Sequence, residues 1–308
     1  MKLIKTTFGR HETFPLRYGW LTKGIEALQN NTTIFNEHEA AMIKLGLGRN
    51  MINALHYWLQ AAGLAEFEEG IGTVTPIGNA LLGKEGDPYL EDEATLWILH
   101  WLIASNAQMA TGFYWFFNLY ASPRFSDKDA LNTLEYFVEQ TLGIKRAHTT
   151  LKSDLYTLLR MYCPLAGNSG EEHLDSPLSS LQLITQEKSY GYNSARATRP
   201  TLPPIALHIA LQHCFTNQIQ QKEIQRENRE ETAIPLKDLL YGDVDKIAPG
   251  ALFRLSEEGL MRVLQQLIEN FPEHYALRDT AGMHQLYSLK APQPTEALLI
   301  NYYRVSAA

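Results

Sequence analysis

The sequence predicts a mainly α-helical chain with small β-hairpins, and three observations carry that expectation. A helix, a glycine turn, a second helix and an alternating hairpin follow one another between residues 37 and 82. A dense aromatic pair of helical segments spans residues 93–120, and capped helix starts recur beyond it. An amphipathic helix followed by a hairpin then returns between residues 256 and 290.

Taken in order, Asn36 precedes Glu37, His38 and Glu39, a cap and acids that favour a helix start, and apolar positions continue to Gly46. Gly46 and Gly48 make a tight turn. A second helix over 49–62 places Met51, Leu55, Trp58, Leu59 and Ala62 on one side. Arg49, Asn53, His56 and Gln60 fall on the other, with Asn50 at the helix start. The next residues alternate around Gly70 and Gly72 as a hairpin, and Thr75-Pro76 opens a short helix. This order predicts an N-terminal winged helix-turn-helix, whose second helix offers donors at the depth of base edges. A protein-interaction module has the same pattern, and Glu66, Glu68 and Glu69 sit badly against phosphate.

In the central region, Trp97, His100, Trp101, Tyr114, Trp115, Phe116 and Phe117 are too dense and too regularly spaced for a solvated groove and read as core. Ser126 caps another helix, and LKSDLYTLLRMY is a further one, with Lys152 and Arg160 bracketing Asp154. Residues 217–231 are polar all round, the mark of a solvated helix or linker. Ser256 opens the last amphipathic helix, and a hairpin turns at Gly282, a winged-helix-like ending. The expected divisions are 1–86 for the N-terminal segment and winged helix and 87–215 for the helical domain. The polar linker would occupy 216–235 and the C-terminal helix and hairpin 236–308.

Composition limits the function classes. With 308 residues and 45% apolar content, the chain can bury a sizeable core. It shows no basic-then-apolar start and no apolar run near the ~18 residues of a membrane span, so a cytoplasmic protein without membrane contact is expected. Cys163 and Cys214 make neither a disulfide framework nor a zinc knuckle. The net charge of −7 hides an asymmetry: residues 1–60 carry seven Lys or Arg against four acids, whereas residues 61–93 carry one base against eight acids. A local basic face can hold phosphate even on an acidic chain, because screening separates regions more than ~8–10 Å apart. No GxxxxGKS/T, GxSxG, HExxH or CxxC pattern is present, which argues against nucleotide hydrolysis and zinc chemistry.

The candidate centre lies in GRHETFPLRYGWLTKG, residues 9–24, where polar and aromatic residues interleave. A carboxylate beside an imidazole can hold an ion while the imidazole moves a proton, which marks His11 and Glu12 as catalytic candidates. Arg17 and Lys23 could neutralise phosphate, and with Arg49, Asn50, Asn53 and His56 they make the expected DNA-binding set. Glu12, Asp87 and Glu91 are the candidate ligands for a divalent cation, Mg²⁺ or Mn²⁺. For Glu91 to Glu93, capping of a helix start is the favoured reading.

The ordered motifs HETFPLRYGWL, LGLGRNM, DPYLEDEATLWILHW and KSDLYTLLRMY resemble the SspB-like family of bacterial single-strand DNA phosphorothioation systems, once catalogued as a domain of unknown function. The resemblance covers most of the chain, from His11 to the C-terminal hairpin. It implies a nickase that binds double-stranded DNA beside a cysteine desulfurase, an ATPase and a sulfur-activating subunit, in defence against phage. The nick would open one strand so that sulfur could replace a non-bridging phosphate oxygen. A non-catalytic DNA-binding or scaffolding subunit that recruits the sulfur-transfer machinery is the alternative. No catalytic residue is carried over from the family, so the candidates above rest on their chemistry alone.

Overall fold

The computed structural model describes residues 5–163, 176–187, 191–225, 232–280 and 283–306. Helices dominate, and among the described residues three small antiparallel sheets are set between them. The first helices are α1 (Trp20–Asn30), α2 (His38–Leu45) and α3 (Arg49–Ala61). The hairpin β1 (Ala65–Glu68) and β2 (Ile71–Val74) follows, then α4 (Pro76–Leu82). The hairpin register pairs Glu68 with Ile71, and its two turn residues, Glu69 and Gly70, both have positive φ. That is the turn whose twist matches the flanking strands. Thr75 caps α4 by accepting from the Gly78 N–H, with Pro76 at the first helical position.

One expectation changes here. Asn36 does not cap α2; it ends a 3₁₀ turn, Ile34–Asn36, and its side-chain amide donates to the Gly70 carbonyl at 2.5 Å. A side chain on Gly70 would collide with that amide. The long-range bond to the hairpin wins over the local cap.

The central helices are α5 (Glu93–Ala104), α6 (Thr111–Tyr114), α7 (Asp127–Tyr136) and α8 (His148–Tyr162). Both α6 and α7 run on into π-helical turns, at Trp115–Leu119 and Phe137–Thr141. Ser126 caps α7, as the sequence predicts, and Asp129 returns a bond to the Ser126 N–H to complete a reciprocal capping box. Strands β3 (Arg124–Phe125), β4 (Thr185–Glu187) and β5 (Gly191–Asn193) form a sheet in the order β3-β5-β4.

Next comes α9 (Pro204–Gln225), whose first half is buried and which continues into the stretch expected to be a linker or solvated helix; residues 226–231 lie outside the described residues. Beyond it lie β6 (Ala233–Pro235), α10 (Leu236–Leu240), α11 (Pro249–Leu252) and α12 (Glu257–Asn270), the last capped by Ser256 as expected. Strands β7 (Tyr275–Thr280) and β8 (Met283–Ser288) form the predicted hairpin, whose turn at Gly282 lies outside the described residues, and α13 (Thr295–Ser306) follows. The hairpin gains an unpredicted third strand, giving β6-β8-β7.

All seven aromatic-region residues expected as core are buried, each 3% exposed or less. A single hydrophobic cluster extends from Phe8 to Tyr303. Polar bonds cross the expected divisions too: Thr95 bonds Tyr303 at 2.6 Å, and His100 donates from Nε2 to the Leu252 carbonyl at 2.8 Å.

Candidate nucleic-acid interface

The N-terminal segment enters α1 through an irregular loop whose backbone is held in costly conformations. Gly9 and Gly19 have φ of 72°, which glycine accepts freely, but Glu12 at 49° and Thr13 at 65° also lie in the left-handed region. For residues with a Cβ this costs of order 1–3 kcal/mol each and persists only where surrounding contacts dictate it.

The contacts that dictate it centre on His11, which has no exposed surface. Its Nε2 lies 2.9 Å from Oδ1 of Asp154 on α8, and the Thr13 N–H reaches its Nδ1 at 3.2 Å. Those partners assign the proton to Nε2, which donates to the carboxylate. The same Oδ1 accepts from the Gly9 N–H at 2.6 Å, and the Phe14 N–H closes the turn on the His11 carbonyl at 2.8 Å. Around the pair, the His11 ring stacks on Trp58 and meets Tyr57 edge-on, both from α3. Burial, and then the Asp154 charge, push the Tyr57 hydroxyl well above its ordinary pKa. Gly112 packs against the other Asp154 oxygen, where a Cβ would collide with the carboxylate.

This arrangement places the predicted residues in different settings. Glu12 and Thr13 are exposed at the tip of the loop. His11 lies beneath them, and proton transfer to a substrate requires a ring nitrogen that neither Thr13 nor Asp154 already occupies. Arg17 is half-buried, its guanidinium 5.8 Å from the Phe14 ring and 5.6 Å from the Trp20 ring, while Lys23 is exposed on α1. On α3, Arg49 and Asn50 are exposed and Asn53 is half-buried. The helix starts at Gly48 with no side-chain cap, so its first N–H groups point outward.

His56 stands apart from this set. Its ring packs 4.0 Å from Phe67 on the hairpin and 5.4 Å from Phe35, with Gln60 against Nδ1 at 3.3 Å. Burial, followed by the charge of Arg10, lowers its pKa and keeps it neutral at pH 7. His56 therefore joins α3 to the hairpin. The acids Glu66, Glu68 and Glu69 are exposed along the hairpin.

Asp87 and Glu91 do not converge with Glu12 on a metal-ligating group. Asp87 is buried and accepts at Oδ1 from the Glu91 N–H and at Oδ2 from the Asp92 N–H, both at 2.9 Å. Asp92 then caps α5 by accepting from the Ala94 N–H at 2.8 Å and takes a further bond from the Tyr302 hydroxyl. Among the described residues, no three His, Cys, Asp or Glu side chains are placed to hold an ion. The acidic run serves as the start of α5.

Sequence reasoning missed Asp154, Arg10 and Gly112. Asp154 had a usable signal: it is an acid on the face of α8 that buries Leu151, Leu155 and Leu158, and a carboxylate in such company needs a buried partner.

With the geometry in place, likeness to known proteins can be stated. Residues 8–303 match the family described as Protein of unknown function (DUF4007). No curated protein matches the chain. The SspB crystal structure has a TM-score of 0.82 with this fold, at 26% identity over 97% of this chain and 88% of that one. The magnesium ion-bound SspB crystal structure has a TM-score of 0.81 at the same identity and coverage. A match over nearly the whole length, joined to the same architecture in the SspB structures, places this chain in the DUF4007 family.

Proposed function

We propose that this protein is the DNA-binding component of a bacterial DNA phosphorothioation and phage-defence system, and that it nicks one strand to admit sulfur. The observation that carries the reading is the strained, exposed Glu12–Thr13 loop, clamped by His11 and Asp154 and set beside α3. Likeness to the SspB structures, one of them bound to magnesium, supports the system to which the activity is assigned. In this reading Arg49, Asn50 and Asn53 face duplex DNA, and Lys23 contacts its backbone. Glu12 accepts the proton of the water that attacks phosphorus, the P–O bond to the leaving sugar oxygen breaks and that oxygen takes up a proton from solvent, while His11 acts as a positioning residue that fixes the loop. In this reading the protein works beside a cysteine desulfurase, an ATPase and a sulfur-activating subunit, and the nick opens the strand into which sulfur is placed.

A second reading, a DNA-binding scaffold without chemistry of its own, is favoured by one observation: Asp87, one of the candidate ligands, has both carboxylate oxygens taken by backbone N–H groups at the start of α5. Incubating the full chain with supercoiled plasmid in Mg²⁺ or Mn²⁺ separates the two. Open-circle product from the parent, lost in Glu12→Gln with unchanged melting and duplex affinity, supports the nickase. Plasmid binding with no nicking under any condition supports the scaffold.

A further inference from the structure

We infer that Lys5, Arg10, Lys145, Arg146, Lys152 and Arg160 form a continuous track for the phosphate backbone of DNA, leading away from the Glu12–Thr13 loop along α8. The inference rests on the DNA-binding reading above and extends it to a surface that the predicted winged helix does not contain.

Five contacts show how the track is built. Arg146 Nη2 donates to Thr6 Oγ1 at 3.5 Å, and Gly9 packs beside the Thr150 methyl group. Gly9 and His11 then reach Asp154, and Arg160 Nη1 donates to the Thr13 carbonyl at 3.4 Å. Residues 6–13 therefore lie lengthwise on α8 and the turn before it. At 1.5 Å per residue, the positions from 146 to 160 cover about 20 Å. That length faces about six nucleotides of one strand at ~3.4 Å each.

Five of the six cations are exposed and Arg160 is half-buried. Among the described residues, none of them forms an ion pair with a carboxylate. Three acids nearby are otherwise engaged: Asp154 holds His11, Glu135 holds His148, and Asp127 accepts from the Tyr156 hydroxyl. Lys152 lies over the Tyr156 ring at 5.7 Å, which leaves its ammonium at the surface.

Stability does not account for this charge. Lys145, Arg146 and His148 stand at the start of α8, whose first turn holds no acid, and cations at that end oppose the helix dipole. An extended anion offsets the repulsion, and the track ends at the loop where DNA is placed by the reading above. Continuity with that loop favours a nucleic-acid backbone over an acidic protein segment.

The test uses the full chain carrying Lys145→Gln, Arg146→Gln and Lys152→Gln, with a labelled duplex titrated over a range of KCl. A second variant with only Lys145→Gln and Lys152→Gln leaves the Arg146–Thr6 bond in place. The expected result is a weakening of about tenfold or more at moderate salt. The slope of log affinity against log salt should fall by about 0.9 for each contact removed, equally for all sequences. Parental affinity and slope in both variants overturn the inference. In that case, loss of binding in Arg49→Ala with Asn53→Ala leaves the proposed function standing, parental binding there too removes α3 from the interface, and a parent that binds no duplex removes the DNA reading itself. Retention of a poly-glutamate peptide by the parent but not by the variants, with DNA binding unchanged, also overturns the track and assigns it to an acidic partner.

Discussion

His11 and His100 are equally buried, and each has both ring nitrogens occupied, yet they hold together opposite kinds of structure. His100 sits in the aromatic centre, with Phe117 and Tyr162 edge-on at 4.7 and 5.5 Å, and its partners are a hydroxyl and a carbonyl. Burial pulls its pKa down to about 3, so it stays neutral and joins helices that would pack in any case. His11 instead faces a carboxylate and fastens a loop that has no regular structure and carries two strained residues at its tip. The difference teaches that a buried polar side chain in this molecule either seals a core or displays a loop. The strain and exposure of the attached backbone tell which.

The largest expected effect breaks the comparison on the core side. Trp101→Ala and Trp115→Ala should each cost about 3–5 kcal/mol in denaturant unfolding, with DNA affinity of the folded fraction unchanged. Normal stability with lost single-strand binding would mean that these rings form a stacking surface.

Acid should act on the same side. His100 and His208 have folded pKa values of about 3 and about 4 against an ordinary 6.5, burial being the first cause for both. Below pH 6.5 the unfolded chain binds more protons than the native one, so stability falls as pH drops. The contribution of His208 to that fall ends near pH 4 and that of His100 near pH 3. Melting temperatures at about pH 7.5 and about pH 5 should show the decline, and equal values would argue against neutral buried imidazoles.

On the loop side, Asp154→Asn should cost about 1–3 kcal/mol, because His11 and the Gly9 N–H lose their charged acceptor. Amide exchange should accelerate in residues 9–14 first, while α5 stays protected. Uniform acceleration would make Asp154 an ordinary core residue rather than a clasp.

Arg49→Ala with Asn53→Ala should weaken duplex binding by about 1–3 kcal/mol in a sequence-dependent way and leave melting unchanged. Unaltered mobility shifts would remove α3 from the interface. The smallest effect is expected from Glu66→Gln, Glu68→Gln and Glu69→Gln together: a gain in DNA affinity of roughly 0.5 kcal/mol that fades with salt. A loss of affinity would show that the hairpin acids contact the partner directly.

Much of the fold was legible from residue order. The positive-φ turn at Glu69–Gly70, the capping box at Ser126, the Ser256 cap and the aromatic core all depend on residues close in sequence or on helical period. The candidate centre was legible only in part. Glu12 and His11 were marked together as adjacent polar residues, but the burial of His11 was not legible because its partner lies 143 positions away. His56 fell on the polar side of the helical pattern, and Phe35 and Phe67 then covered it from two other elements.

The sequence by itself determined the helix starts, the hairpin turns and the division of apolar from polar faces, because each is settled by interactions within a few residues. Tertiary structure alone decided that Asp154 clamps His11, that β6 joins β8, that Asp87 tethers the start of α5 and that cations from residues 5–10 and 145–160 form one track. The reason is physical. A buried carboxylate or an unpaired strand edge requires a partner, but its own neighbours in sequence do not say which one, and only the packed chain brings distant candidates within bonding distance.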